Sequence, residues 1–170
     1  MAFDNDEQQS EYFKSFYNLH KVKILSAIAV FLAAFFAYQY LESVNQSNDE
    51  KASQLFQDVL VSKIGNINEI KSKVGVLQND FSSSPYAARA SIYYSKLLVE
   101  TGDYSAAAKE LIWASGESIE PSIQSMANYL LGNLYLVEKK LDEALEAANN
   151  IITDGYIGLA NDLKGDIYLA

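Results

Sequence analysis

Cysteine is absent from the 170 residues and histidine occurs once, at His20. The first absence removes disulfides, thiolate metal sites and cysteine nucleophiles together. The second leaves too little imidazole for a histidine zinc site, or for a Ser-His-Asp triad in any domain remote from His20. Arginine is as scarce, Arg89 being the only one. Residues 42–170 carry 18 acidic and 10 basic side chains, a net of -8, and such a surface repels a phosphate backbone, so nucleic acid is not an expected partner. Neither a G-x-x-x-x-G-K-[ST] nor a G-x-G-x-x-G pattern occurs, which removes the common phosphate-cradling loops. The residues therefore point to no enzyme, with no catalytic group, no metal site and no cofactor. Proline is limited to Pro85 and Pro121, both placed to open helices rather than interrupt them. No alternating β-branched run is long enough to argue for a sheet.

What is present begins with "ILSAIAVFLAAFFAYQYL", residues 24–41, a stretch without a charge. As a helix it reaches roughly 27 Å, close to the thickness of a hydrocarbon core. Ile24, Phe31 and Phe35 face apolar surroundings in this reading, Ser26 returns its hydroxyl to the preceding turn, and Tyr38 and Tyr40 mark the headgroup layer. A buried core helix would show a polar face, which residues 27–37 lack. A cleaved signal peptide would have a shorter apolar run and a small-x-small ending, but Phe35 stands two before Ala37. A transmembrane anchor is the reading that survives.

Lys14, Lys21 and Lys23 precede the span, and the first lysine after it is Lys51. This asymmetry places residues 1–23 in the cytoplasm as a short tail and sends the remainder outward. In a bacterium that means a single-pass inner-membrane protein with a periplasmic domain. Residues 42–51 read as a juxtamembrane linker that turns helical before Ala52, and 52–170 as the domain. Its first helical blocks carry Leu55, Val59 and Leu60, then Ile67, Ile70, Val74 and Leu77, with a turn at "IGN" between them. Ser84 is a candidate cap before Pro85, Asp103 a turn residue, and Asp142 and Glu143 open a helix where free amides favour negative charge.

The domain repeats itself. Setting "YSKLLVETGDYSAAAKEL" above "LGNLYLVEKKLDEALEAA" pairs Tyr94 with Leu131, Ser95 with Gly132, Leu98 with Tyr135, Tyr104 with Leu141 and Ala107 with Ala144, an offset of 37 residues. A third start, "LKGDIYLA", sets Gly165 on Gly132 and Tyr168 on Tyr135 at an offset of 33. Helix-turn-helix units of this length are tetratricopeptide-like. The expected fold is all-α, a transmembrane helix followed by a solenoid of helical hairpins. Gly132 and Ala144 are expected where the two helices of a hairpin cross, with Tyr135 and Leu141 filling space around the contact.

Stacked hairpins present a concave surface, and twelve tyrosines are available to line it. Tyr86, Tyr93 and Tyr129 are candidate polypeptide contacts, since a tyrosine offers a large apolar face at low entropic cost. Trp113 stands before the expected "ASGES" turn either as core or as an exposed anchor. Tyr104 and Tyr135 are better explained as spacers in the core.

Several stretches together resemble the bacterial YfgM family. They are "FKSFYNLHKVKI" after an acidic start, the single span, "SSPYAARASIYYSKLLVETGDYSAAAKEL", "NYLLGNLYLVEKKLDEALEAANNI" and "GYIGLANDLKGDIYLA". The last is the most specific, through Gly155, Tyr156, Asp162, Leu163, Gly165 and Asp166. The resemblance implies an ancillary subunit of the SecYEG translocon. It also implies a domain that meets secreted polypeptides in company with a membrane-anchored, prolyl-isomerase-like periplasmic chaperone, and a role in stress signalling. The alternative is a structural adaptor of another envelope assembly, such as division or cytochrome maturation. The apolar "DIYLA" lacks the polar face of a terminal repeat, so either further chain follows or this helix packs on the groove or on another subunit.

Overall fold

A computed structural model describes residues 6–62, 66–118 and 120–170, without the side chains of residues 6–10, 12, 13 and 18. All the described elements are helical: α1 Asp6–Val61, α2 Ile67–Asp80, α3 Pro85–Glu100, α4 Tyr104–Glu117, α5 Pro121–Val137, α6 Leu141–Asn149 and α7 Ile157–Leu169, with a 3-10 turn Asp154–Tyr156 before the last. Two compact units divide between Asn45 and Gln46.

The described residues of the first unit, 6–45, are helix alone. From Leu19 onward α1 contains an 18-residue window of mean hydropathy 2.0, none of it buried, and it is the one helix among the described residues long and apolar enough to cross a membrane. Phe31, Phe35, Tyr38 and Tyr40 are all exposed, and Ile24 is partly covered. The Ser26 hydroxyl donates to the Lys23 carbonyl at 2.9 Å, within the preceding turn. Residues 42–51 lie inside α1 as regular helix. They contain neither glycine nor proline, so nothing in them interrupts the hydrogen-bond ladder.

In the second unit each helix packs on the next, α2 on α3 through to α6 on α7, and α3 also meets α5 while α5 meets α7. That is a right-on-schedule pattern for hairpins stacked in series, where contacts are confined to neighbours. The entries of α3, α4, α5 and α6 are chemically marked. The Ser84 hydroxyl accepts from the Tyr86 amide at 3.5 Å with Pro85 in the first turn, and Asp103 accepts from the Ala106 amide at 3.0 Å. Pro121 opens α5. α6 has no side-chain cap, and Asp142 and Glu143 in its first turn meet the free amides instead. α4 runs on through Ala114, Ser115 and Gly116 to Glu117, so the turn expected at "ASGES" begins later: an exposed glycine in the final turn costs a helix too little to end it. The turn expected at "IGN" lies largely outside the described residues.

Alanine dominates the buried contacts. Ala87, Ala90, Ala107, Ala114, Ala127, Ala144 and Ala148 are fully covered, and methyl-sized side chains let helix axes approach at the short end of the usual 8–10 Å. One core holds Ala52, Val59, Ile70, Val74 and Leu77 together with Tyr94, Leu97, Leu98 and Leu131. A second holds Ala144, Ala148, Leu163 and Ile167 between α6 and α7. Leu60, next to the buried Val59, is 44% exposed, since adjacent residues point about 100° apart on the helix.

Candidate functional site

The residues assigned to repeat packing divide into covered and open positions. Tyr94, Ala107, Leu131 and Ala144 are buried, and Tyr135 and Leu141 are half-buried against the cores. A methyl group built on Gly132 would stand 2.7 Å from Leu163 Cδ2 and 3.3 Å from the Ala144 carbonyl oxygen. α5, α6 and α7 meet there, and only a hydrogen atom fits without movement of a neighbour. Gly165 and Tyr168, their repeat equivalents on α7, are exposed, and a methyl group at Gly165 would meet nothing within 4 Å. The buried residues of α7 are Ala160, Leu163 and Ile167. Tyr104 is 38% exposed and stands at the edge of a groove.

That groove is an open, largely apolar surface of the domain. It consists of two adjoining hollows of about 490 and 380 Å³. The larger is walled by Phe56, Leu60, Ile92, Tyr93, Ile123 and Met126, the smaller by Val99, Tyr104, Leu111, Leu134 and Val137, and Lys96 and Leu130 line both. α3 and α5 supply its floor from equivalent places: Arg89, Tyr93 and Lys96 on α3 return as Met126, Leu130 and Asn133 on α5, each 37 residues later. No carboxylate lines either hollow. Arg89 donates to the Pro85 carbonyl at 2.8 Å and to Glu120 at 2.8 Å, fixing the α4–α5 connection to the start of α3.

Of the four candidate polypeptide contacts, the structure brings Tyr93 to this groove and uses the other three elsewhere. Tyr86 packs against Phe56 in a tilted ring pair, centroids 5.8 Å apart, beside the first core. Trp113 is wedged with Ile92 and Ile123 against Ala88, Ala114 and Ala127. Tyr129 packs against the cluster of Ala144 and Leu163. The groove's walls are mainly aliphatic, and Ile92, Lys96, Met126, Leu130 and Val137 were not singled out from the sequence. Their signal was available in the 37-residue register, which carries Tyr93 onto Leu130 and Lys96 onto Asn133.

Behind the groove floor, a polar contact joins three helices. Gln78 of α2 donates to Ser91 of α3 at 2.8 Å and to Glu110 of α4 at 2.7 Å. Burial pushes the Glu110 carboxyl above its ordinary range, while Gln78, Ser91 and Lys71 pull it back. Burial, with Glu110 and Asp103 nearby, also raises Tyr94. Among the described residues no three acidic or histidine side chains are grouped to hold a metal ion.

The hairpins in series have a counterpart in known sequences. The profile described as a tetratricopeptide repeat-like domain matches residues 14–170. The chain belongs to this family. It is also similar to three proteins named ancillary SecYEG translocon subunit. The Neisseria gonorrhoeae protein is 25% identical over 174 residues, covering 100% of this chain and 83% of the relative. That of Escherichia coli is 20% identical over 171 residues, covering 99% and 81%. The Aggregatibacter actinomycetemcomitans protein is 22% identical over 165 residues, covering 97% and 81%. No solved structure gives a significant match. The matched region of the tetratricopeptide repeat-like family thus takes in the apolar helix as well as the hairpins.

Proposed function

We propose that this chain is an ancillary subunit of the SecYEG translocon, a non-catalytic, membrane-tethered protein that binds polypeptide in the groove between α3 and α5. Support comes from the names of its three relatives, a helix long and apolar enough to cross a bilayer and the repeat-like domain. The observation that carries the binding role is the groove itself. Its apolar walls include Met126 and Val137, 36% and 67% exposed, and its cover of water is replaced at a gain by apolar side chains of another polypeptide.

In this reading the helix anchors the protein in the inner membrane with Lys14, Lys21 and Lys23 on the cytoplasmic side, and the hairpins stand in the periplasm. Secreted segments leaving the channel meet the groove and pass to a membrane-anchored periplasmic chaperone. Aliphatic and aromatic walls without fixed hydrogen-bond geometry suit clients of varied sequence. The test is recovery of the intact protein from detergent-solubilised membranes. Stoichiometric recovery of the channel subunits is expected, whereas recovery of division or cytochrome-maturation components without them would favour an adaptor role in another envelope machine.

A further inference from the structure

Resting on the groove reading above, we infer that the groove selects segments in which an acidic residue lies between apolar ones, with Lys96 as the selecting group. Lys96 is exposed and is shared by both hollows, so a chain filling the two with apolar side chains carries its intervening residue past this ammonium. The other cation there, Arg89, is held by Glu120 and the Pro85 carbonyl. No carboxylate lines either hollow to neutralise Lys96. With Arg89 paired to Glu120, Lys96 is the cation left open between the apolar walls, and it is complementary to a carboxylate at that point. The partner equivalent of Lys96 in the next repeat is Asn133, whose amide donates to the Tyr129 carbonyl at 2.8 Å, so the charge is placed once along the groove.

Three labelled peptides with the same leucine-rich flanks and Glu, Gln or Lys at the centre test this against the full chain in lipid nanodiscs. The expected order of affinity is Glu above Gln above Lys, with about two- to fivefold between the first two, the range of an exposed ion pair. Lys96→Glu should invert that order, and molar salt should flatten it. An order that is the same in the parent and in Lys96→Glu, with all three peptides bound, overturns the selectivity and leaves the groove reading intact. Failure of every peptide to bind, or binding unchanged by Met126→Asp at an exposed groove position, overturns the groove reading itself and the selectivity with it.

Discussion

Gly102 and Lys139, 37 residues apart, take the same left-handed backbone conformation, at φ 83° and 61°. Their surroundings match bond for bond. Asp103 N–H donates to the Leu98 carbonyl at 2.8 Å and Lys140 N–H to the Tyr135 carbonyl at 2.9 Å, while Gly102 and Lys139 donate to Val99 and Leu136 at 3.0 and 3.1 Å. Both hairpins therefore turn by the same left-handed helix ending. Only Gly102 is the residue that conformation favours. Lys139 carries a Cβ into it at a cost of about 1 kcal/mol.

Lys139→Gly is accordingly expected to stabilise the domain by about 0.5–1 kcal/mol, and Gly102→Ala to destabilise it by a similar amount. Denaturant titration of the two variants checks both signs. Equal and opposite failure, with Lys139→Gly destabilising, would mean that the lysine side chain contributes more than the turn costs.

Gly132 and Gly165 occupy the same repeat position with opposite surroundings. Gly132→Leu should cost about 1–3 kcal/mol or more through overpacking against Leu163 and Ala144. Gly165→Ala adds a methyl group to open space within a helix and should gain about 1 kcal/mol. Melting of the pair against the parent gives the answer, and the same sign for both would contradict the crossing at Gly132.

These two pairs show what could be read from residues alone. The repeat register was legible because it rests on small residues at crossings and on turn chemistry, both local. Helix starts at Pro85, Pro121 and Leu141 were legible for the same reason. Less so was the face on which each aromatic lands. Tyr86 finds Phe56 thirty residues earlier and Tyr129 finds a cluster built from α6 and α7, and neither partner is visible in the local pattern. Tyrosine count pointed to a tyrosine-lined surface, but packing takes most of the rings and leaves aliphatic side chains on the groove. The polar stretch 42–51 reads as a juxtamembrane linker by composition, and it lies within α1 as helix.

Glu110 sets a pH dependence of definite sign. Its folded pKa is raised by burial above the ordinary 4.5, so the folded state holds the proton more tightly than the unfolded chain. That contribution favours folding most at or below the ordinary value and is lost as pH rises through the raised one. Glu110→Gln keeps an acceptor for Gln78 and removes the titration. The stability difference between parent and variant should shift in the variant's favour as pH rises across that window, and a difference independent of pH would contradict it. Glu69, lowered chiefly by its hydrogen bond and ion pair with Lys73 at 2.7 Å, has the opposite sign, its contribution being lost as pH falls.

The proposed topology rests on lysine placement about the apolar helix. External protease on spheroplasts should digest residues beyond Glu42 and spare those before Lys23. Digestion of the large domain only after lysis would reverse the orientation.

The most direct measurement is photocrosslinking in living cells from a probe at Met126 on the groove, compared with one at Asp142 at the exposed start of α6. Adducts to secreted polypeptides are expected from position 126, depleted when export is blocked, and few from position 142. Equal adducts from the two positions, or none to any exported chain from position 126, would contradict a polypeptide-binding groove.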